Sequence, residues 1–276
     1  MRLPRWLAAP AGRGFLDELT AKGDHEVEIS TLFQGRMAPH DGKRLDCGLT
    51  VMGFTNRCGS NLLADYLVQT GRFCGFGESL NPPVVASFSA RSGADSLPAY
   101  LETLAENLNC GPSRDLGVKA SADQLAMLIR HGVPTMFASF RVIHIWRQDL
   151  LEQAVSFAIA NRTKRWTNRQ QAAVQDVAEM ELDPVQIERM MRAIQQSNNR
   201  IAAMVSVLGI RHASLSYEEL TAAPGQAVRR LCTALGEDLG DWRPRAPKIE
   251  KQADAVNARL VAEYRQLARR SLSGPS

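Results

Sequence analysis

The chain contains no apolar run as long as the roughly 18 residues that mark a transmembrane helix, so no membrane span is expected. Its first stretch, MRLPRWLAAPAG, is interrupted by Pro4, Arg5 and Pro10 before an apolar region long enough for secretion can form. Aromatic residues make up 6%, net charge is only +4, and no basic stripe interleaved with aromatics occurs, which argues against nucleic acid as a partner. An anionic small ligand suits that mild positive balance better. Cysteines are few, odd in number and far apart: Cys47, Cys58, Cys74, Cys110 and Cys232 show no metal-type spacing. They are expected to be reduced thiols of a cytoplasmic protein, small core fillers by default.

What remains is ordinary globular material, 276 residues with 45% hydrophobic content, enough for a sizeable core. Residues 1–46 mix glycine, proline and charge and are expected to form an N-terminal extension to a domain at 47–276. The central stretch is LTVMGFTNRCGSNLLADYLVQTG, Leu49 to Gly71. A short apolar run predicts a strand, Gly53 to Ser60 a tight turn, and the periodicity from Asn61 a helix.

A strand that feeds a helix through a glycine-bearing turn presents unpaired N–H groups at the positive end of the helix dipole, a place suited to an anion. The phosphate loop of nucleotide hydrolases carries Gly-Lys-Ser/Thr, where lysine holds the outer phosphates and the hydroxyl holds magnesium. Here Ser60 follows Gly59, and Arg57 supplies a guanidinium suited to a two-pronged grip on an oxyanion without a metal. The expectation is a phosphate or sulfate ester bound at this loop. Cys58, beside an arginine at a helix start, is expected to have a lowered thiol pKa and to be reactive.

Downstream, Phe73 to Pro83 reads as a glycine- and proline-rich loop with one carboxylate, Glu78. Helices are predicted over Ser96–Asn109 and Ala122–His131, and strands over Leu116–Ala120, which carries Lys119, and over Phe140–Trp146, FRVIHIW, with Arg147 at its end. Asp149 is placed to cap the next helix. A long helix over Pro184–Leu208, a strand over Arg211–Tyr217, a helix over Pro224–Leu235 and a final helix over Val256–Arg269 complete the chain. This alternation predicts an α/β fold, P-loop-like and three-layered, with a central mostly parallel sheet flanked by helices. Ligands of such sheets bind at the carboxyl ends of the strands, where the loop after Thr55 and Arg147 both fall.

TNRCGSNLL, Glu78 seven residues beyond Gly71, HIWRQDLLEQAVSFAIANRTKRW and EKQAD before a terminal helix together resemble the bacterial trehalose 2-sulfotransferase family, over roughly Leu49 to Tyr264. The most specific piece is Arg147-x-Asp149-x3-Gln153-Ala-Val-Ser156. The resemblance implies a donor, 3′-phosphoadenosine 5′-phosphosulfate (PAPS), and metal-free sulfuryl transfer to a carbohydrate or glycolipid hydroxyl.

By the same resemblance, Arg57 with the groups of Cys58, Gly59, Ser60 and Asn61 holds the 5′-phosphosulfate, and Arg147 with Ser156 holds the 3′-phosphate. Lys119 neutralises the bridging oxygen, Lys251 closes over the 3′-phosphate, and Glu78 is the catalytic base. Such a base is worth about 10² to 10⁴ in rate, and burial in the cleft would strengthen it. The sequence departs from the family at Cys58, Asn61 and Ser79-Leu80, so trehalose is one acceptor among several and a homodimer is left open. Two other classes compete: a catalytically inactive sulfotransferase-like binding module, and a small-molecule kinase of the P-loop class, which the missing loop lysine disfavours.

Overall fold

A computed structural model describes residues 20–39, 45–163, 181, 183–248 and 255–273. Five strands form one sheet: β1 (Leu49–Phe54), β2 (Phe73–Gly77), β3 (Asp115–Ala120), β4 (Phe140–Trp146) and β5 (Arg211–Ser216). Their order across the sheet is β2-β3-β1-β4-β5, and every pairing is parallel. After β1 the chain crosses to the β2 edge, returns through β3 beside β1 and then passes to β4 and β5 on the other side. Crossovers therefore diverge between β1 and β4, the place at which open parallel sheets bind ligands.

Alternation along β1 explains the three layers. Leu49 and Val51 enter a core shared with α3 (Pro82–Ser92), α4 (Leu97–Asn107), α5 (Ala122–Arg130) and the C-terminal half of α7 (Pro184–Val207). Met52 points the other way, into a core shared with α2 (Ser60–Gln69), α8 (Tyr217–Ala222) and α9 (Pro224–Ala234). Successive strand residues face opposite sides, so a sheet covered on both faces reads as a continuous apolar run. A third cluster joins α6 (Leu150–Thr163), the start of α7 and α10 (Ala255–Ser273).

Helix starts follow their capping chemistry. Ser96 caps α4, Ser121 and Gln124 form a reciprocal capping box on α5, and Asp183 caps α7 just before Pro184. Asp149 accepts the Glu152 N–H at 2.9 Å at the head of α6, as its position predicts.

Three expectations need correction. Phe73–Gly77 is the edge strand β2, not loop. Part of the N-terminal stretch belongs to the core: α1 (Asp24–Leu32) carries Ile29, which with Phe33 and Met37 is buried in the core shared with α3, α4 and α5. Its Glu26 is buried as well, paired with Arg130 and with His131 Nε2 at 2.9 Å. Cys74 and Cys110 are joined by a disulfide, so the expectation of five reduced thiols fails for this pair. Folding sets the start of β2 beside the exit of α4, an adjacency that a separation of 36 residues hides. Cys47, Cys58 and Cys232 are free and buried. Among the described residues no helix is long and apolar enough to cross a membrane.

Candidate active site

The loop from Thr55 to Gly59 leaves β1 and turns into α2 with two residues in left-handed backbone, Arg57 at φ 68° and Gly59 at φ 87°. A β-carbon on Gly59 would stand 2.4 Å from the Tyr217 ring, so only glycine fits. Gly59 also offers no side-chain cap, which leaves the first-turn N–H groups of α2 facing the loop without one.

Helix α6 holds this loop from below with residues one turn apart. Gln153, fully buried, donates from Nε2 to Thr55 Oγ1 and to the Asn56 carbonyl oxygen, each at 2.8 Å. Ser156 Oγ accepts from Arg57 Nε at 2.9 Å. Thr55 and His144 both reach Asn198 Oδ1 on α7, at 3.5 and 3.3 Å. Burial holds His144 below the usual histidine pKa, partly offset by its bond to Asn198.

Lys119 lies one residue before the end of β3, level with Met52 and therefore on the α2 side of the sheet. Its side chain is only 4% exposed. Nζ donates to Asn61 Oδ1 at 2.6 Å and to Glu78 Oε1 at 3.0 Å, and sits 5.2 Å from the centroid of the Phe54 ring. Burial of a cation this deep requires such partners.

Glu78 reaches Lys119 because the end of β2 is irregular. The register slips between Gly75 and Gly77, Gly75 has φ 92° and Phe76 φ 54°. Phe76 in turn packs flat against Gly117 of β3, where a β-carbon would come within 2.8 Å of the ring. A bulge of this kind re-aims the following side chain. Asn81 Nδ2 donates to Glu78 Oε2 at 2.9 Å, so both carboxylate oxygens are oriented. Glu78 is nonetheless 46% exposed, which corrects the expectation of a carboxylate enclosed in the cleft.

Arg147 extends from the end of β4 across the Tyr217 ring, 5.0 Å from its centroid. It pairs with Glu152, and its Nε lies 3.9 Å from Glu218 Oε1.

Thus Asn61, Glu78 and Lys119 meet at the ends of β1, β2 and β3, while Arg57 of the adjoining loop turns to Ser156 on α6. Arg147 precedes α6 and Ser156 lies on it, but their contacts go to different partners, Ser156 to Arg57 and Arg147 to Tyr217 and Glu152. Lys251 lies outside the described residues.

Cys58 is a correction. Its side chain is fully buried in the core beneath α2, and its N–H is spent on the Thr55 carbonyl at 3.3 Å, so neither group faces a ligand. Burial pushes its thiol up to about 11, opposite to the lowered value expected from the nearby arginine and helix start. Among the described residues no three His, Cys, Asp or Glu side chains are grouped to hold a metal ion.

Tyr217, Asn81 and Glu218 escaped the sequence reading. Tyr217 and Glu218 act across the fold, and Asn81 reaches Glu78 because a turn after β2 brings these two residues, three apart, together.

The Stf0 sulphotransferase family model matches residues 118–267, more than half of the chain. No curated protein matches the sequence. Among solved structures, a sulfotransferase domain from the curacin biosynthetic pathway is similar at 16% identity and TM-score 0.47, covering 82% of this chain and 99% of that one. A sulfotransferase from Alicyclobacillus acidocaldarius is similar at 16% identity and TM-score 0.42, covering 82% and 97%. A structure from the PezAT toxin-antitoxin system of Streptococcus pneumoniae is similar at 11% identity and TM-score 0.32, covering 91% and 96%.

Proposed function

Because this chain belongs to the Stf0 sulphotransferase family, we propose that it moves a sulfuryl group from PAPS to a carbohydrate or glycolipid hydroxyl, with Glu78 as general base. Sulfuryl transfer is the coarse reading that the family carries. To it we add the donor, the acceptor class and the residue roles.

One observation supports that assignment most strongly. Lys119 Nζ bridges Glu78 Oε1 and Asn61 Oδ1 where three strands end beside the N-terminus of α2. A carboxylate able to accept a proton, a cation able to stabilise a leaving oxygen and a helix start suited to an oxyanion thus lie together.

The chain's residues also fit the donor. The uncapped helix start after Gly59, with Arg57 held by Ser156, suits the 5′-phosphosulfate. Arg147, with its Nε lacking a hydrogen-bond partner, suits the 3′-phosphate. In the reaction Glu78 takes the acceptor's hydroxyl proton as that oxygen bonds to sulfur, and the bond from sulfur to the phosphate oxygen breaks. Lys119 stabilises the charge that develops on the leaving oxygen, so Arg57 and the helix start need only hold the group in line. Glu78 stands at the open rim, and an exposed base suits an acceptor that enters from solvent. Trehalose is one such acceptor.

Incubation with PAPS labelled in the sulfuryl group, against a panel of trehalose, other sugars and cell-envelope glycolipids, tests the reading. Transfer of label to a hydroxyl is expected. Transfer of phosphate from ATP with magnesium, in place of sulfate from PAPS, would favour a kinase instead.

A further inference from the structure

Glu218 makes contacts that its own helix does not call for. It is the second residue of α8, whose start is already capped by Ser216 and Glu219 in a reciprocal box. The Glu218 side chain instead leaves its helix and reaches the end of β4. There Oε2 accepts the Gln148 N–H at 3.0 Å and Oε1 accepts the Asp149 N–H at 3.3 Å. Two oxygens on two successive N–H groups, beside the guanidinium of Arg147, is the arrangement in which a backbone concavity takes a phosphate.

A second carboxylate, Glu152, bonds the same guanidinium from α6. Arg147 is 13% exposed, whereas Glu152 and Glu218 are 45% and 34% exposed. The cation is held against the Tyr217 ring and largely buried, whereas the two carboxylates are partly exposed and can swing into solvent.

We propose that Glu218 and Glu152 act as internal stand-ins for a phosphate, competing with the donor's 3′-phosphate for Arg147 and the Gln148 and Asp149 N–H groups. This inference rests on the donor reading above and names a specificity device within the same site. A bound 3′-phosphate must displace both carboxylates, and it recovers the two N–H bonds and the guanidinium they give up. Competition weakens every ligand that reaches Arg147 and leaves alone those that do not. Without it, the positive site would retain the donor product more tightly and release it more slowly.

The sign of a mutational effect separates this role from a structural one. If Glu218 were only a cap, its loss would loosen the end of β4 and weaken binding. Competition predicts the reverse. Calorimetric titration of the full chain with adenosine 3′,5′-bisphosphate and with adenosine 5′-monophosphate should show Glu218→Gln tightening the bisphosphate about fivefold or more, with the monophosphate unchanged. Glu152→Gln should act in the same direction, and it serves if Glu218→Gln fails to fold. Unchanged or weaker bisphosphate binding in both variants overturns the proposal while leaving the donor reading intact. Equal tightening of both nucleotides also overturns it, since the effect would then not belong to the 3′ position. No bisphosphate binding in the wild type or either variant would overturn the donor reading and this inference together.

Discussion

Gln153 reaches Thr55 from a different element and fixes it: the amide of a fully buried side chain on α6 donates to the hydroxyl that opens the Arg57 loop, at 2.8 Å. The same nitrogen also donates to the Asn56 carbonyl oxygen at 2.8 Å, so one side chain sets two consecutive loop residues just before the left-handed Arg57. A loop with two residues at positive φ stays in place only if its surroundings over-determine it.

Removing those donors should therefore cost both stability and ligand. Gln153→Leu keeps most of the volume but takes this donor from the Thr55 hydroxyl and the Asn56 carbonyl oxygen, a loss of about 1–3 kcal/mol in all. We expect a lower denaturation midpoint, and binding of adenosine 3′,5′-bisphosphate weakened by about tenfold or more because Arg57 loses its frame. Titration calorimetry on the variant checks this, and unaltered affinity would show that the loop holds its shape without Gln153.

Cys58 should be inert in the native protein. With its thiol raised to about 11 by burial, only about a thousandth would be thiolate at pH 8. Labelling by iodoacetamide, read by peptide mass spectrometry, should reach Cys58 only after unfolding and should not depend on bound nucleotide. Rapid modification of the native chain would contradict the buried placement.

His144 predicts a pH dependence of stability. Its folded pKa is depressed, first by burial and further by His212. The unfolded chain then binds the extra proton at higher pH than the folded one, so stability is fully present above the ordinary histidine value near 6.5 and is lost as pH falls from there through the folded value. Urea midpoints between pH 7.5 and 5 should fall further for the wild type than for His144→Gln. Equal falls would mean that His144 does not titrate in this way.

Much of this architecture was legible because its elements obey local rules. FRVIHIW is rich in β-branched and aromatic residues and is β4 over the residues expected, and Asp149 caps α6 as its position predicts. Glu78 and Lys119 could be singled out by position, yet their contact depends on the β2 bulge, which Gly75 and Gly77 disguise as loop chemistry. Gly75 serves packing: a β-carbon there would meet the Gly117 carbonyl oxygen at 2.6 Å. The burial of Cys58 was not legible, because nothing local tells whether a loop side chain turns toward the ligand or beneath the next helix. Ile29, Phe33 and Met37 join the core from a stretch rich in glycine, proline and charge, where only Ile29 lies on a helix and no periodic pattern marks the other two.

The central claim is that Glu78 is the base in sulfuryl transfer, and replacing it by glutamine tests this most directly. Glu78→Gln keeps the volume and the ability to accept from Lys119 and Asn81, and removes the basicity. With an acceptor found by the labelled-donor screen, and with donor saturating, the variant should bind adenosine 3′,5′-bisphosphate near the wild-type affinity and transfer sulfate about 10² or more slower. A Glu78→Gln enzyme that keeps close to the full rate would contradict the account.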